Sequence, residues 1–248
     1  MNNVLSIFRK LIVLTAVIFL FLSAGITFAE ETIKLGIFPR KGALETKISY
    51  EPLRKYLSEK TGKKVELILS KDFTAFWESV KNREFDLVHY NQYHYIKSHK
   101  ELGYNIIVKN EEAGSAKARS AIVVRKDSGI DSIAGLKGKK IVFGGGKQAM
   151  QAYIGVVYLL KKNGFKSGDY IESVAVNPPS AAMAVYSKTV DAGGIGDVIM
   201  NLPSLKQKID VSQLKFVAEG EPLPMLCWAV KKEMIRSWRR RSPRQWPA

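Results

Sequence analysis

From Thr32 onward the chain alternates short apolar runs with amphipathic stretches, and this alternation restricts the possible folds more than any other feature. Thr32–Phe38, Val65–Leu69, Phe85–His89 and Asn105–Lys109 have the length and apolar content of buried strands. Between them, Glu45–Thr61, Thr74–Asn82 and Gln92–Leu102 carry apolar residues at helical spacing. In the first of these Leu53, Tyr56 and Leu57 share a face, and Gly62 supplies the stop. Strands separated by helices cannot pair as hairpins, so the succession predicts parallel pairing with helices on both faces of a sheet.

A polar stretch, Glu111–Lys117, interrupts the pattern and reads as a linker. Strands are then expected at Ala121–Arg125, Lys140–Phe143, Ile171–Val176 and Asp191–Ile195. Asp131–Gly138 reads as a short helix or turn, and Ala149–Asn163 and Ser180–Lys188 as helices. Leu214–Ala218 and Leu226–Val230 add two late strands. Two blocks of about a hundred residues each fit two lobes better than one continuous domain. The expectation is an α/β protein of two lobes with mixed, mostly parallel sheets and a hinge. Lobe 1 takes residues 30–118 and 216–234, and lobe 2 takes 119–215.

The first 29 residues read as an export signal. Arg9 and Lys10 precede an apolar run, Leu11 to Leu22, and Thr27-Phe28-Ala29 offers small residues for cleavage before Glu30. A retained N-terminal anchor is the alternative. Cys227, the one cysteine, excludes an internal disulfide and reads as a buried strand residue within Met225–Val230. An exported protein without disulfides fits a bacterial envelope.

The net charge of +16 is unevenly placed. Arg9 and Lys10 lie in the signal, and five arginines lie in the aperiodic tail 235–248. Residues 30–234 keep 32 basic and 23 acidic residues, a net +9. Spread along the chain without clustered aromatics, this balance suits an anionic ligand and gives no nucleic-acid pattern. The tail reads either as a basic arm or, the preferred reading, as an out-of-frame or disordered end.

Val142-Phe143 followed by Gly144-Gly145-Gly146-Lys147-Gln148-Ala149 is a glycine loop between a strand and a helix. Such a loop lets the backbone approach a ligand and aims helix N–H groups at it, which predicts an anion seat at Gly146, Lys147, Gln148 and Ala149. The loop lacks the spacing and the Ser or Thr of a P-loop. Gly144, Gly146 and Ala149 match a dinucleotide pattern, but Asp169 precedes the next strand instead of ending it. No nicotinamide or other cofactor is therefore expected.

Other strand ends matter for the same reason. Phe38-Pro39-Arg40-Lys41-Gly42 places cations where they either attract an anion or form a solvated turn. Asp72 caps the helix that follows. Tyr90 and Asn91 open a polar pocket after the third strand, whereas Tyr95 reads as core. His89, His94 and His99 recur every five residues, which a helix spreads around its axis, so no shared metal is expected and each reads as a pocket-edge or surface histidine. No nucleophile–base pair stands out, and an enzyme is not expected.

The order and spacing of several short landmarks resemble the substrate-binding proteins of phosphate, phosphite and phosphonate ABC importers. These are Leu35-Gly36-Ile37-Phe38-Pro39, Tyr50–Leu57, Lys64–Leu67, Phe85–Tyr90, Ile122–Ser128, Leu136–Lys140, Ala182–Tyr186 and Val190–Ala192. The resemblance implies a two-lobed type II periplasmic binding fold that closes on a small oxyanion and docks, as a monomer, on an inner-membrane ABC permease. It places ligand contacts at Phe73, Tyr90, the glycine-loop helix start and Asp197. The Ser-Thr-Ser-Gly of phosphonate binders is replaced by Lys147-Gln148-Ala149-Met150, and a family histidine near Asn177-Pro178 is absent. Family members also continue with C-terminal helices, so a truncated product is expected. A sensory module that presents its ligand to a membrane kinase or chemoreceptor is the alternative role.

Overall fold

The structure, a computed structural model, describes residues 32–112 and 114–235. The expected export signal and nearly all of the basic tail lie outside the described residues. The elements are β1 (Ile33–Ile37), α1 (Ala43–Thr61), β2 (Val65–Leu69), α2 (Phe73–Lys81), β3 (Leu87–Tyr90), α3 (Gln92–Leu102), β4 (Tyr104–Lys109), β5 (Lys117–Ala118) and β6 (Ser120–Arg125). They continue with β7 (Lys140–Gly144), α4 (Gly155–Lys162), β8 (Ile171–Ala175), α5 (Pro178–Tyr186), β9 (Ala192–Gly196), α6 (Pro203–Lys206), β10 (Leu214–Glu219), β11 (Leu223–Pro224) and β12 (Cys227–Lys231). A π-helical turn, Met150–Ile154, leads directly into α4.

Two five-stranded sheets form, in the orders β2-β1-β3-β12-β4 and β10-β6-β9-β7-β8. Within each, the strands joined through helices are parallel: β2, β1 and β3 in the first, and β8, β7 and β9 in the second. The sheets are mixed, as expected: β12 is antiparallel to β3 and β4, and β6 to β9 and β10. β6 and β12 are the strands by which the chain enters one sheet from the other, and a strand entering from outside is not bound to the direction that a helical crossover imposes. The two passages run side by side, with Ala118 of β5 paired to Leu223 of β11. β10 pairs along its length with β6, so the return to the first sheet falls after Glu219 and not at 216.

Each sheet has its own core. Leu35, Ile37, Leu87 and Val230 pack on one face of the first sheet, with Tyr50 and Leu57 of α1 against them. Phe76, Phe85, Tyr90 and Tyr104 fill the other face. The inward face of α1 therefore runs through Tyr50 and Leu57, while Tyr56 is exposed beneath Lys60. In the second sheet, Ile122, Ile141 and Phe143 meet α4 on one side, and Val123, Ala181 and Val185 meet on the other. Cys227 is buried in β12, as expected.

Gly194 of β9 decides how closely the π-helical turn sits on the second sheet. A Cβ there would lie 2.4 Å from the Ala152 carbonyl oxygen. That neighbour is backbone and cannot swing away, so Gly194→Ala forces the turn off the sheet. The expected cost is about 1–3 kcal/mol, read as a fall in Tm of about 2–4 °C per kcal/mol.

His89 and His94 are fully buried, where a pocket-edge or surface position was expected. Burial holds both rings below the ordinary histidine range, His94 at about 4. The unfolded chain binds these protons near pH 6.5 and the folded chain does not. Stability is therefore intact above that value and falls as the pH drops toward about 4. Denaturant titrations across this window are expected to show a slope of about 1.4 kcal/mol per pH unit for each histidine, and His94→Gln should remove its share.

Candidate functional site

A cavity of about 40 Å³ lies beyond the carboxyl ends of all six parallel strands. Its lining comes from Arg40 after β1, Phe73 after β2, Asn91 after β3, Ala149–Ala152 after β7, Pro178 after β8 and Val198 after β9. Helical crossovers leave a crevice at this end of a parallel sheet, and here two such ends face one another. Most of the wall is apolar. Among its lining residues Arg40 is the one with a charged side chain.

Helix starts bring backbone donors to this end, and three of them are already used. Asp72 caps α2 by accepting from Ala75 N at 2.7 Å, Asn91 caps α3 by accepting from His94 N at 2.9 Å, and Asn177 caps α5 by accepting from Ser180 N at 2.9 Å. The turn at Met150 has no such side-chain cap. Tyr153 N and Ile154 N both donate to Ala149 O, and the N–H groups of Met150, Gln151 and Ala152 have no acceptor among the described residues. All three residues line the cavity. Open donors and the positive end of the helix dipole there favour negative charge over positive.

The open donors lie further along the chain than the expected Gly146, Lys147, Gln148 and Ala149. Ala149 lines the cavity, but its N–H turns back to Gly146 O at 3.0 Å. Gly146 and Lys147 do not line it, and Lys147 is exposed. Gln148 is drawn to the first sheet instead. Its carbonyl accepts from Asn91 Nδ2 at 3.0 Å, and its side-chain amide lies 2.9 Å from His94 Nε2. Asn91 Oδ1 also receives His94 Nδ1 at 2.9 Å. The atom facing Nε2 is Gln148 Oε1, so each ring nitrogen faces an oxygen, and the tautomer of the neutral ring decides which of the two receives its one N–H. Gly145, at φ 95°, lies against the Phe73 ring, which a Cβ would meet at 2.4 Å.

Of the remaining expected site residues, Phe73 and Asn91 line the cavity, and Tyr90 and Asp197 do not. Tyr90 has no exposed surface and its hydroxyl bonds Ser98 Oγ at 2.5 Å. Successive strand residues point to opposite faces, so Tyr90 enters the core when Asn91 faces the cavity. Burial raises its phenol well above the ordinary tyrosine range. Asp197 accepts from Arg119 N at 2.9 Å and Val198 N at 2.7 Å, tying β9 to the passage between the sheets.

Arg40 settles an alternative left open by sequence. It is only 7% exposed, so it is no solvated turn. Its Nη2 donates to Glu112 Oε1, and the other N–H groups of its guanidinium have no protein acceptor among the described residues. Asn110 supports the pair, donating from Nδ2 to Glu112 Oε1 at 3.2 Å and accepting from Trp228 Nε1 at 2.7 Å. A second cavity, of about 380 Å³, shares Arg40 and is also lined by Lys41, Ser49, Tyr50, Glu112 and Asn201. Glu112 carried no signal in the sequence, since it lies 72 residues from Arg40 in a stretch that reads as linker.

Comparison with known proteins identifies a family. The chain is 29% identical over 199 residues to the phosphate-import protein PhnD of Mycolicibacterium smegmatis, an alignment covering 75% of this chain. It spans 60% of the length of that relative. The binding component of an ABC phosphonate transporter from Pseudomonas aeruginosa superposes with a TM-score of 0.75 at 20% identity, over 85% of this chain and 73% of that one. PhnD1 of Prochlorococcus marinus, solved with methylphosphonate, gives 0.74 at 16% identity over 84% and 79%. These two likenesses establish the two-lobed periplasmic binding fold. Residues 35–241 match the model of the family described as ABC transporter, phosphonate, periplasmic substrate-binding protein. The chain belongs to the family of periplasmic substrate-binding proteins of phosphonate ABC transporters.

Proposed function

We propose that this protein captures a small phosphorus oxyanion (phosphate, phosphite or a phosphonate) in the periplasm and delivers it, as a monomer, to an inner-membrane ABC permease. The observation that carries this reading is the 40 Å³ cavity lined by the buried Arg40 and by Met150, Gln151 and Ala152, whose N–H groups are uncapped. A cavity of that size suits a compact headgroup. Its donors replace the hydroxyls that the family's Ser-Thr-Ser-Gly would supply. Phe73, Phe38 and Pro178 exclude water and raise the strength of each charged hydrogen bond.

The protein's role is binding without chemistry. The side chains lining the cavity include no nucleophile beside a base. Closure of the lobes about the β5–β11 passage encloses the ligand, with Asn91, His94 and Gln148 joining the two sides. The N-terminal apolar segment directs export and is cleaved before Glu30. Domain limits follow the sheets, with residues 30–118 and 220–234 in lobe 1 and 119–219 in lobe 2.

Calorimetry against phosphate, phosphite, methylphosphonate and sulfate tests this. Heat with at least one of the phosphorus oxyanions is expected, and silence with all of them defeats the reading. Arg40→Met should weaken the bound anion by about 10–100-fold, the worth of one charged hydrogen bond. Lys147→Met should change it little, because that side chain does not line the cavity.

A further inference from the structure

We propose that Glu112, acting through Arg40, makes this seat selective for singly charged oxyanions over fully ionised ones. The inference rests on the oxyanion reading above and names which charge state of that ligand class is held. Arg40 is the charged side chain of the small cavity, and its guanidinium is already in contact with the Glu112 carboxylate. The pair is largely withdrawn from water, with side-chain exposures of 9% and 22%. Together the two contribute a strong dipole and no net charge. The open helix end adds about half a positive charge.

Other charges do not correct this balance. Lys41 lines the larger cavity and is paired with Glu45 at 3.3 Å. Lys147 is exposed and does not line the small cavity. The titratable groups that feel Arg40 from neighbouring elements are Tyr50 of α1 and His89 of β3. Burial raises the Tyr50 phenol and lowers the His89 imidazole, so both stay neutral through the physiological range. A monoanion nearly balances the seat. A dianion brings a second charge that no cation in the wall matches, and burying an unmatched charge is costly.

Arg40 retains the donors to bind an oxyanion while it holds Glu112, since only one of its N–H groups is spent on the carboxylate. Glu112 is therefore a positioning residue that also sets the charge the seat accepts. Its own place is fixed by paired backbone hydrogen bonds with Ser115, both at 2.9 Å, and by Asn110.

Two probes separate charge state from other effects of pH. Methylphosphonate passes from monoanion to dianion across the neutral range, as phosphoryl groups do, whereas sulfate stays a dianion throughout. Calorimetric Kd values for both are to be measured at about pH 5.5 and about pH 8.5, on the wild type and on Glu112→Gln, with Glu112→Ser as a second variant and circular dichroism as the check on folding. In the wild type, methylphosphonate is expected to weaken about tenfold from low to high pH relative to sulfate. In Glu112→Gln, sulfate should tighten about tenfold and the relative pH trend should vanish. Wild-type binding of methylphosphonate that holds or tightens at high pH overturns the proposal. So does an unchanged sulfate-to-methylphosphonate ratio in a folded Glu112 variant. Should neither variant fold, the wild-type profile against sulfate still decides. Absence of binding by the wild type to either probe removes the oxyanion reading, and this inference with it.

Discussion

The first sheet is completed by a strand that reaches it last. β12 is inserted between β3 and β4, with Ala229 and Val230 fully buried. Its neighbour β4 precedes the whole second sheet in sequence. The chain must therefore leave the first sheet, build the second and return before the first is closed. Everything at the site depends on that return, because β5 and β11 hold the two strand-end crevices opposite each other. Contacts so distant in sequence carry a large loop-closure cost, which couples the stability of one sheet to that of the other.

Once the crevices face each other, the distribution of caps decides which backbone donors remain. Asp72, Asn91 and Asn177 use the starts of α2, α3 and α5 for stability. The π-helical turn is the exception. It packs closely on Gly194, and no side chain caps its first N–H groups. Opposite them stands a guanidinium held by a single carboxylate. The cavity thus combines strong, directed donors with a small net charge and an apolar wall. That combination distinguishes it from a surface cluster of lysines, which would attract anions with little regard for size or charge state.

Much of this was legible without coordinates. Strand and helix positions followed from periodicity, because apolar spacing of two or of about 3.6 residues is a local property. The glycine loop was read as a place where backbone meets ligand, and Ala149 at its end lines the cavity. Gly146, Lys147 and Gln148 were expected there and do not line the cavity; the Gln148 carbonyl and amide are drawn to Asn91 and His94, a pairing across 54 to 57 residues that no local pattern carries. Tyr90 was read as a pocket residue and is core. The one-residue alternation of a strand sends it away from the cavity that its neighbour Asn91 faces.

By itself the sequence determined the alternation of elements, the cap at Asp72, the glycines where a turn or close approach requires them, and landmarks ordered closely enough to name a family. These are properties of short stretches, and short stretches carry their own energetics. Only the tertiary structure decided the direction of β6 and β12, the side to which Tyr90 turns, and the burial of Arg40 against Glu112. Each of these depends on what lies across the fold, and the free energy of a buried charge or donor is set by its partners in space and not by its neighbours in the chain.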